Sequence, residues 1–123
     1  MVTDQEHLNN LVAAAFGREM EIYHYQINVD NYTTMLAALP TDAWTEELLP
    51  YKDAAIDRLP DSLGDDTIIM ISEYQYRDRI KNLLRTEKVE QNKTVRIRDS
   101  LKAQIGADYD SLLAAYKASQ ING

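Results

Sequence analysis

The sequence predicts an all-α fold: a helical bundle with two long helices, a proline-broken connecting helical segment and a short C-terminal helix. Long stretches carry apolar residues at alternating spacings of three and four, which is the period of an amphipathic helix. The 123 residues include only four glycines and three prolines, and most of these lie where the helical pattern stops. Because 45% of the residues are hydrophobic, the chain is able to bury one core. We therefore expect a single helical domain over residues 1–123.

The first long helix is predicted from Asp4 to Leu39. Thr3 and Glu6 have the spacing of a capping box, and Pro40 cannot continue the helix. Ten positions at heptad spacing form a seam, in which Arg18 is the one charged residue. The seam consists of Leu8, Leu11, Ala15, Arg18, Ile22, Tyr25, Val29, Tyr32, Leu36 and Leu39.

A second apolar row lies on the side of this helix away from the seam. It contains Phe16, Met20, Tyr23 and Ile27. Because a helix that is apolar on two sides is typically buried on both, we expect the segment 16–27 to be sandwiched. Phe16, Tyr23 and Ile27 should then be buried as well as Ile22 and Val29. Gly17 lies within it and is compatible with either a close helix approach or a kink.

The segment between Pro40 and Gly64 is predicted to be a broken helical connection. Thr41 or Asp42 is placed to cap a short helix that ends near Leu49, and Pro50 suits the first turn of the next helix. The residues expected to face the core are Trp44, Leu48, Tyr51, Ala55 and Ile56.

The second long helix is predicted to begin after a cap at Asp65 or Asp66 and to end at Gly106, with Asp108 capping the last helix. Its expected apolar stripe is Ile69, Tyr76, Ile80 and Leu83. The polar run over 85–93 predicts either a solvated helical face or a break near Asn92. The β-branched segments 67–71 and 94–97 leave open an α+β alternative with short strands.

Several classes of protein are excluded or disfavoured by composition. The absence of cysteine excludes disulfides, thiolate nucleophiles and cysteine zinc sites. The four glycines are too dispersed for a phosphate-binding loop. The longest apolar run, Leu11–Phe16, is far too short to cross a membrane, and no secretory signal pattern is present. We therefore expect a cytoplasmic protein with no membrane partner.

Two short acidic motifs are reminiscent of metal sites. Glu21 and His24 form an E-x-x-H pair, but a di-iron bundle needs two such pairs and two further glutamates on separate helices. Glu87 and Glu90 form an E-x-x-E pair without the second acidic pair that magnesium-dependent helical pyrophosphatases use. We therefore expect charged surface at both places, no metal, no cofactor and no catalytic residue.

Charge is distributed unevenly along the chain, whose net charge is −7. Residues 1–66 carry 13 acids and three bases, whereas residues 77–102 carry nine bases and four acids. The basic stretch is a candidate polyanion-binding surface, formed by Arg77, Lys81, Arg85, Lys88, Arg98 and Lys102. The low isoelectric point, about 4.7, favours a different interpretation, in which the basic helix packs beside the acidic one within the fold or a dimer.

The length of the first helix predicts a homo-oligomer. A helix of about 36 residues runs about 54 Å, whereas a compact domain of this size is about 35 Å across. Because the rest of the chain is short of helix to cover both ends of the seam, we expect a twofold dimer with an antiparallel second copy. The predicted interface consists of Leu8, Leu11, Tyr25, Tyr32, Leu36 and Leu39.

The segments 21–32 (EIYHYQINVDNY), 76–79 (YRDR) and 84–87 (LRTE) resemble the small uncharacterised helical proteins of marine contractile-tailed bacteriophages. The resemblance implies a phage-encoded accessory or assembly protein made in the bacterial cytoplasm, and it implies no functional residue. We therefore expect a non-enzymatic oligomeric interaction or assembly protein. One alternative is a nucleic-acid-associated accessory protein that uses the basic helix 77–102. Another is a metal-dependent helical hydrolase or oxidase.

Overall fold

The computed structural model describes residues 4–40 and 44–122 and contains three α-helices: α1 (Asp4–Ala37), α2 (Asp65–Ile105) and α3 (Tyr109–Asn122). This confirms the all-α fold with two long helices and a short C-terminal one. Over the described ranges there is no strand, so the α+β alternative is wrong. Both segments proposed as strands lie inside α2, which also continues through Asn92 without a break.

The helix boundaries follow from local chemistry. α1 ends at Ala37, two residues before the predicted end at Leu39. Gly106 ends α2 with a φ of +93°, a conformation that favours glycine. The carbonyl of Gly64 accepts the first helical hydrogen bond of α2, from Ile68, so Gly64 takes the capping position that was predicted for Asp65 or Asp66. The carbonyl of Asp108 accepts the amide of Leu112, which confirms the start of α3. The predicted caps Thr3, Thr41 and Asp42 lie outside the described residues.

The connection between α1 and α2 contains no α-helix in its described part. Three short 3₁₀ turns replace the predicted helices, at Leu49–Tyr51, Ile56–Arg58 and Asp61–Leu63. Pro50 occupies the first turn of the first one, as expected. Ala55 and Ile56 are exposed, contrary to prediction, and Leu59 is buried instead. A 3₁₀ turn has three residues per turn, so a stripe read with the α-helical period faces the wrong way.

The chain divides into two compact units, Met1–Asn28 with Glu87–Gly123 as unit 1 and Val29–Thr86 as unit 2. The single domain over residues 1–123 stays a prediction. In unit 1 the buried residues are Val12, Ala15, Thr94 and Tyr109. In unit 2 they are Val29, Leu59, Ile71, Tyr74, Arg77 and Ile80.

Polar contacts anchor the connecting segment in unit 2. The indole of Trp44 donates to Asp78 at 2.8 Å and meets the ring of Tyr74 edge-on. The side-chain amide of Gln75 donates to the carbonyls of Tyr51 and Ala54. The two bonds from Gln75 tie carbonyl groups of the connecting segment to α2.

The seam of α1 is correctly predicted as its inward face: all ten positions are buried or half-buried. The stripe predicted for α2 is mostly wrong, because only Ile80 of its four residues is buried and Ile69, Tyr76 and Leu83 are exposed. None of the described helices has both the length and the apolar character needed to span a membrane.

Candidate functional site

The candidate site is the row Phe16, Met20, Tyr23 and Ile27 on α1, which we call the outer row. The prediction that both sides of this helix are buried is wrong. Met20 and Ile27 are each 42% exposed and Tyr23 is 61% exposed, while Phe16 is half-buried. The sequence pattern correctly predicts an apolar face. Within the described part of unit 1, however, only Phe16 of this face is half-buried, and the other three side chains stay exposed.

The aromatic ring of Phe16 packs on α3. Its centroid lies 5.2 Å from that of Tyr116, and the two rings are tilted by 56°. The outer row therefore begins at an aromatic pair and continues along α1 as three exposed apolar side chains. A shallow groove, lined by Met20, Glu21, His24, Tyr25 and Asn28, runs beside it.

Polar side chains that flank the seam bind α1 to α2. Gln91 donates to the side chain of Gln26 at 2.8 Å and to the carbonyl of Ile22 at 3.4 Å. Asn28 donates to Glu87 at 3.3 Å. The apolar seam of α1 thus meets a helix whose inward positions are partly polar.

The six predicted interface residues lie on this covered face. Those in unit 1 are Leu8, Leu11 and Tyr25, and those in unit 2 are Tyr32, Leu36 and Leu39. All six are half-buried within the chain itself. The premise that the chain lacks helix to cover the seam is wrong, because α2 has 41 residues and α1 has 34. Contact of these residues with a second copy stays a prediction, but the length of α1 no longer supports it.

A polar cluster joins all three helices of unit 1. The Oε1 atom of Glu19 on α1 accepts Nη1 of Arg98 on α2 at 2.8 Å and the hydroxyl of Tyr109 on α3 at 2.7 Å. Arg98 also bonds Asp99, and the ammonium of Lys102 lies 5.3 Å from the centre of the Tyr109 ring. Hydrogen bonds to an ionised partner are stronger than neutral ones, so this cluster fixes how α3 packs.

The cluster shifts the ionisation of its members. Burial acts to raise the pKa of Glu19, but the hydrogen bonds from Arg98 and Tyr109 and the charges of Arg98 and Lys102 outweigh it and lower that pKa. Burial, followed by the hydrogen bond to Glu19, raises the pKa of Tyr109. Glu19 is therefore held as a carboxylate and Tyr109 as a neutral phenol. In these states the phenol donates and the carboxylate accepts the hydrogen bond between them.

The six predicted polyanion-binding residues have different surroundings. Arg77 is buried and donates to the carbonyl of Pro40 at 3.0 Å, so its assignment to a binding surface is wrong. Arg98 is held by Glu19 and Asp99. The four that remain exposed are Lys81, Arg85, Lys88 and Lys102.

The side chains of the E-x-x-H and E-x-x-E motifs make ion pairs, hydrogen bonds and ring contacts with other side chains of the chain. Glu21 pairs with Arg18 at 3.1 Å, and His24 is exposed with its ring at the edge of Tyr23. Glu87 accepts from Asn28, and Glu90 pairs with Lys93. Within residues 4–40 and 44–122, no group of three histidine or acidic side chains is placed to hold a metal ion.

Unit 2 carries a separate open groove of about 850 Å³ between the connecting segment and α2. Its apolar lining is Ala54, Ala55, Ile56 and Leu83. Its charged lining is mixed, with the cations Lys52, Arg79 and Lys81 beside the carboxylates Asp53 and Asp78. This mixture does not select one sign of ligand charge.

Sequence reasoning missed the Glu19 cluster, because its members are 79 and 90 positions apart and carry no local signal. It found the residues of the outer row but assigned them the wrong environment. No protein-family model, no curated protein and no solved structure matches the chain.

Proposed function

We propose that this chain is a non-enzymatic interaction protein that assembles with a second copy of itself through the outer row of α1. The single observation that supports the proposal is the exposure of Met20, Tyr23 and Ile27 at helical spacing. An apolar face of this kind is a typical helix-docking surface. A cytoplasmic location and the assembly role implied by the phage resemblance belong to this proposal.

A second copy is the occupant that fits the row. Residues spaced by four, three and four positions match the seam of a two-helix contact, and an identical helix supplies the same spacing. Closed twofold contacts are also the commonest form of assembly for soluble chains. The row is short, so the contact area falls below that of stable dimers and the association should be weak and concentration-dependent.

Light scattering tests the proposal. At about 100 μM chain, we expect a mass approaching twice 14.1 kDa that falls on dilution. Ile27→Lys places a charge in the row and should return the mass to that of one chain. Ile97→Lys is the matched control, because Ile97 is equally exposed, at 42%, but lies on α2. A mass of one chain for the wild type at this concentration, or equal loss of mass in both variants, would contradict the proposal.

A further inference from the structure

We propose that α3 is a hinged cover over the first part of an apolar face of α1, and that it opens from this face while the rest of the fold stays intact. The face is longer than the outer row. Val12 precedes Phe16 by four residues and, at 100° per residue, lies within about 80° of every member of that row. The inference concerns the protein on its own and does not depend on what the outer row binds.

α3 covers this face only at its first two members. Val12 is 6% exposed and lines a groove together with Leu112, Ala115 and Tyr116 of α3. The ring of Phe16 contacts that of Tyr116. The other three members of the outer row lie further along α1 and are exposed. Opening of α3 would therefore join a covered and an exposed part of one apolar face.

Few buried side chains hold α3 in place. Among its residues 109–121 only Tyr109 is buried, and Leu112, Leu113 and Tyr116 are half-buried. The other nine are exposed, whereas α2 contains five buried side chains. A helix of 14 residues is also marginal by itself, so its order depends on these contacts. Elements with few buried contacts open at a lower free energy than the core, which makes α3 the part of unit 1 that opens first.

The Glu19 cluster holds the cover closed, and Gly106 provides the hinge. Opening breaks the 2.7 Å bond from Tyr109 to Glu19 and the contact of the Tyr109 ring with Lys102. Arg98 lies on α2 and keeps its 2.8 Å ion pair with Glu19, so opening leaves no unpaired carboxylate. Gly106 separates α2 from α3 and has a φ of +93°. Because glycine adopts many backbone conformations, α3 can rotate about this position without disturbing α2.

Thiol labelling measures the opening, because the chain has no cysteine of its own. Val12→Cys places a thiol beneath α3. Val29→Cys is the matched control, because Val29 is also a buried valine of α1 but belongs to unit 2. We expect an aromatic disulfide reagent to label position 12 at least about tenfold faster than position 29. The rate at position 12 should also depend less steeply on urea, since the opening of one helix exposes less surface than global unfolding.

Two further substitutions separate the opening of α3 from unfolding of the whole chain. Glu19→Gln removes the charged acceptor of the Tyr109 hydroxyl and should raise the labelling rate at position 12 by about tenfold. Ile71→Val weakens the core of unit 2, so it should speed labelling at position 29 and leave the rate at position 12 unchanged. Equal rates at the two positions, or faster labelling at position 12 in Ile71→Val, would overturn the proposal.

Hydrogen exchange of the wild type tests the same opening if Val12→Cys fails to fold. The amides of α3 should exchange at least about tenfold faster than those of residues 71–80 in α2, after correction for their intrinsic rates. Their exchange should also show the shallower dependence on urea. Protection of α3 equal to that of residues 71–80 would mean that α3 opens only with the whole fold, and it would overturn the proposal.

Discussion

The hydroxyl of Tyr109 lies 2.7 Å from the Oε1 atom of Glu19, 90 positions away in the chain, and donates its hydrogen bond to it. Tyr109 is buried and belongs to the turn that starts α3, so this bond anchors α3 to α1. The same carboxylate oxygen accepts Arg98. One acidic side chain thus holds two further helices.

Removal of this hydroxyl should destabilise the fold. We expect Tyr109→Phe to lower the free energy of unfolding by about 1–2 kcal/mol, because it deletes a hydrogen bond to a charged acceptor. Urea denaturation followed by circular dichroism measures the loss. Tyr116→Phe is the control, since the contact of Tyr116 with Phe16 is through the rings. Equal destabilisation by the two variants would show that the Glu19 bond contributes nothing particular.

The same cluster predicts a dependence of stability on pH. Because the pKa of Glu19 is lowered in the folded state, its stabilising contribution is present above its ordinary value near 4.5 and is lost as the pH falls through the folded pKa. The pKa of Tyr109 is raised, so its contribution is present below about pH 10 and is lost at higher pH.

Urea midpoints measured between about pH 3 and pH 7 check the acidic limb. We expect Glu19→Gln to be less stable than the wild type at pH 7 and the difference to shrink towards pH 3. A constant difference over that range would mean that the carboxylate charge does not contribute. The alkaline limb is checked by the same comparison for Tyr109→Phe between about pH 9 and pH 11.

Gly17 should be replaceable with a gain in stability. The sequence left open a kink or a close helix approach at this position, but α1 continues through it and a Cβ atom there meets nothing within 4 Å. Gly17→Ala should therefore raise the free energy of unfolding by about 0.5–1 kcal/mol through helix propensity. Gly106→Ala provides the contrast and should destabilise, because the φ of Gly106 is +93°. A loss of stability on Gly17→Ala would disprove this interpretation of the site.

The fold was predictable from sequence where a single segment contained the helix-ending residues or the apolar period that defines its structure. Pro40, Gly106 and Asp108 set helix ends by local chemistry, and the ten-residue seam of α1 showed its inward face by period alone. The inward face of α2 was not readable in this way. Arg77, Gln91 and Arg98 occupy inward positions because a carbonyl, an amide or a carboxylate on another segment receives them. From sequence alone, a polar residue at such a position predicts solvent exposure, because the group that accepts its hydrogen bond lies on another segment.

The outer row shows a second limit. An apolar row indicates that one face of a helix is apolar, but it does not predict which element covers that face. For the seam the cover is α2, whereas for Met20, Tyr23 and Ile27 the described part of unit 1 offers none. Phe16 packs on Tyr116 of α3, and no signal within residues 16–27 predicts that contact.

The basic residues of α2 should not bind nucleic acid. Two of the six candidates are removed by the structure, since Arg77 is buried under a bond to Pro40 and Arg98 is paired with Glu19. The remaining exposed cations belong to a chain of net charge −7, which repels a phosphate backbone. We therefore expect no change in the fluorescence anisotropy of labelled single- or double-stranded DNA at about 50 mM salt. The nucleic-acid alternative would instead be supported by binding that weakens steeply with salt, because each phosphate contact releases counterions. Such binding should be reduced by the double variant Lys81→Gln, Arg85→Gln and should be unchanged by Lys52→Gln.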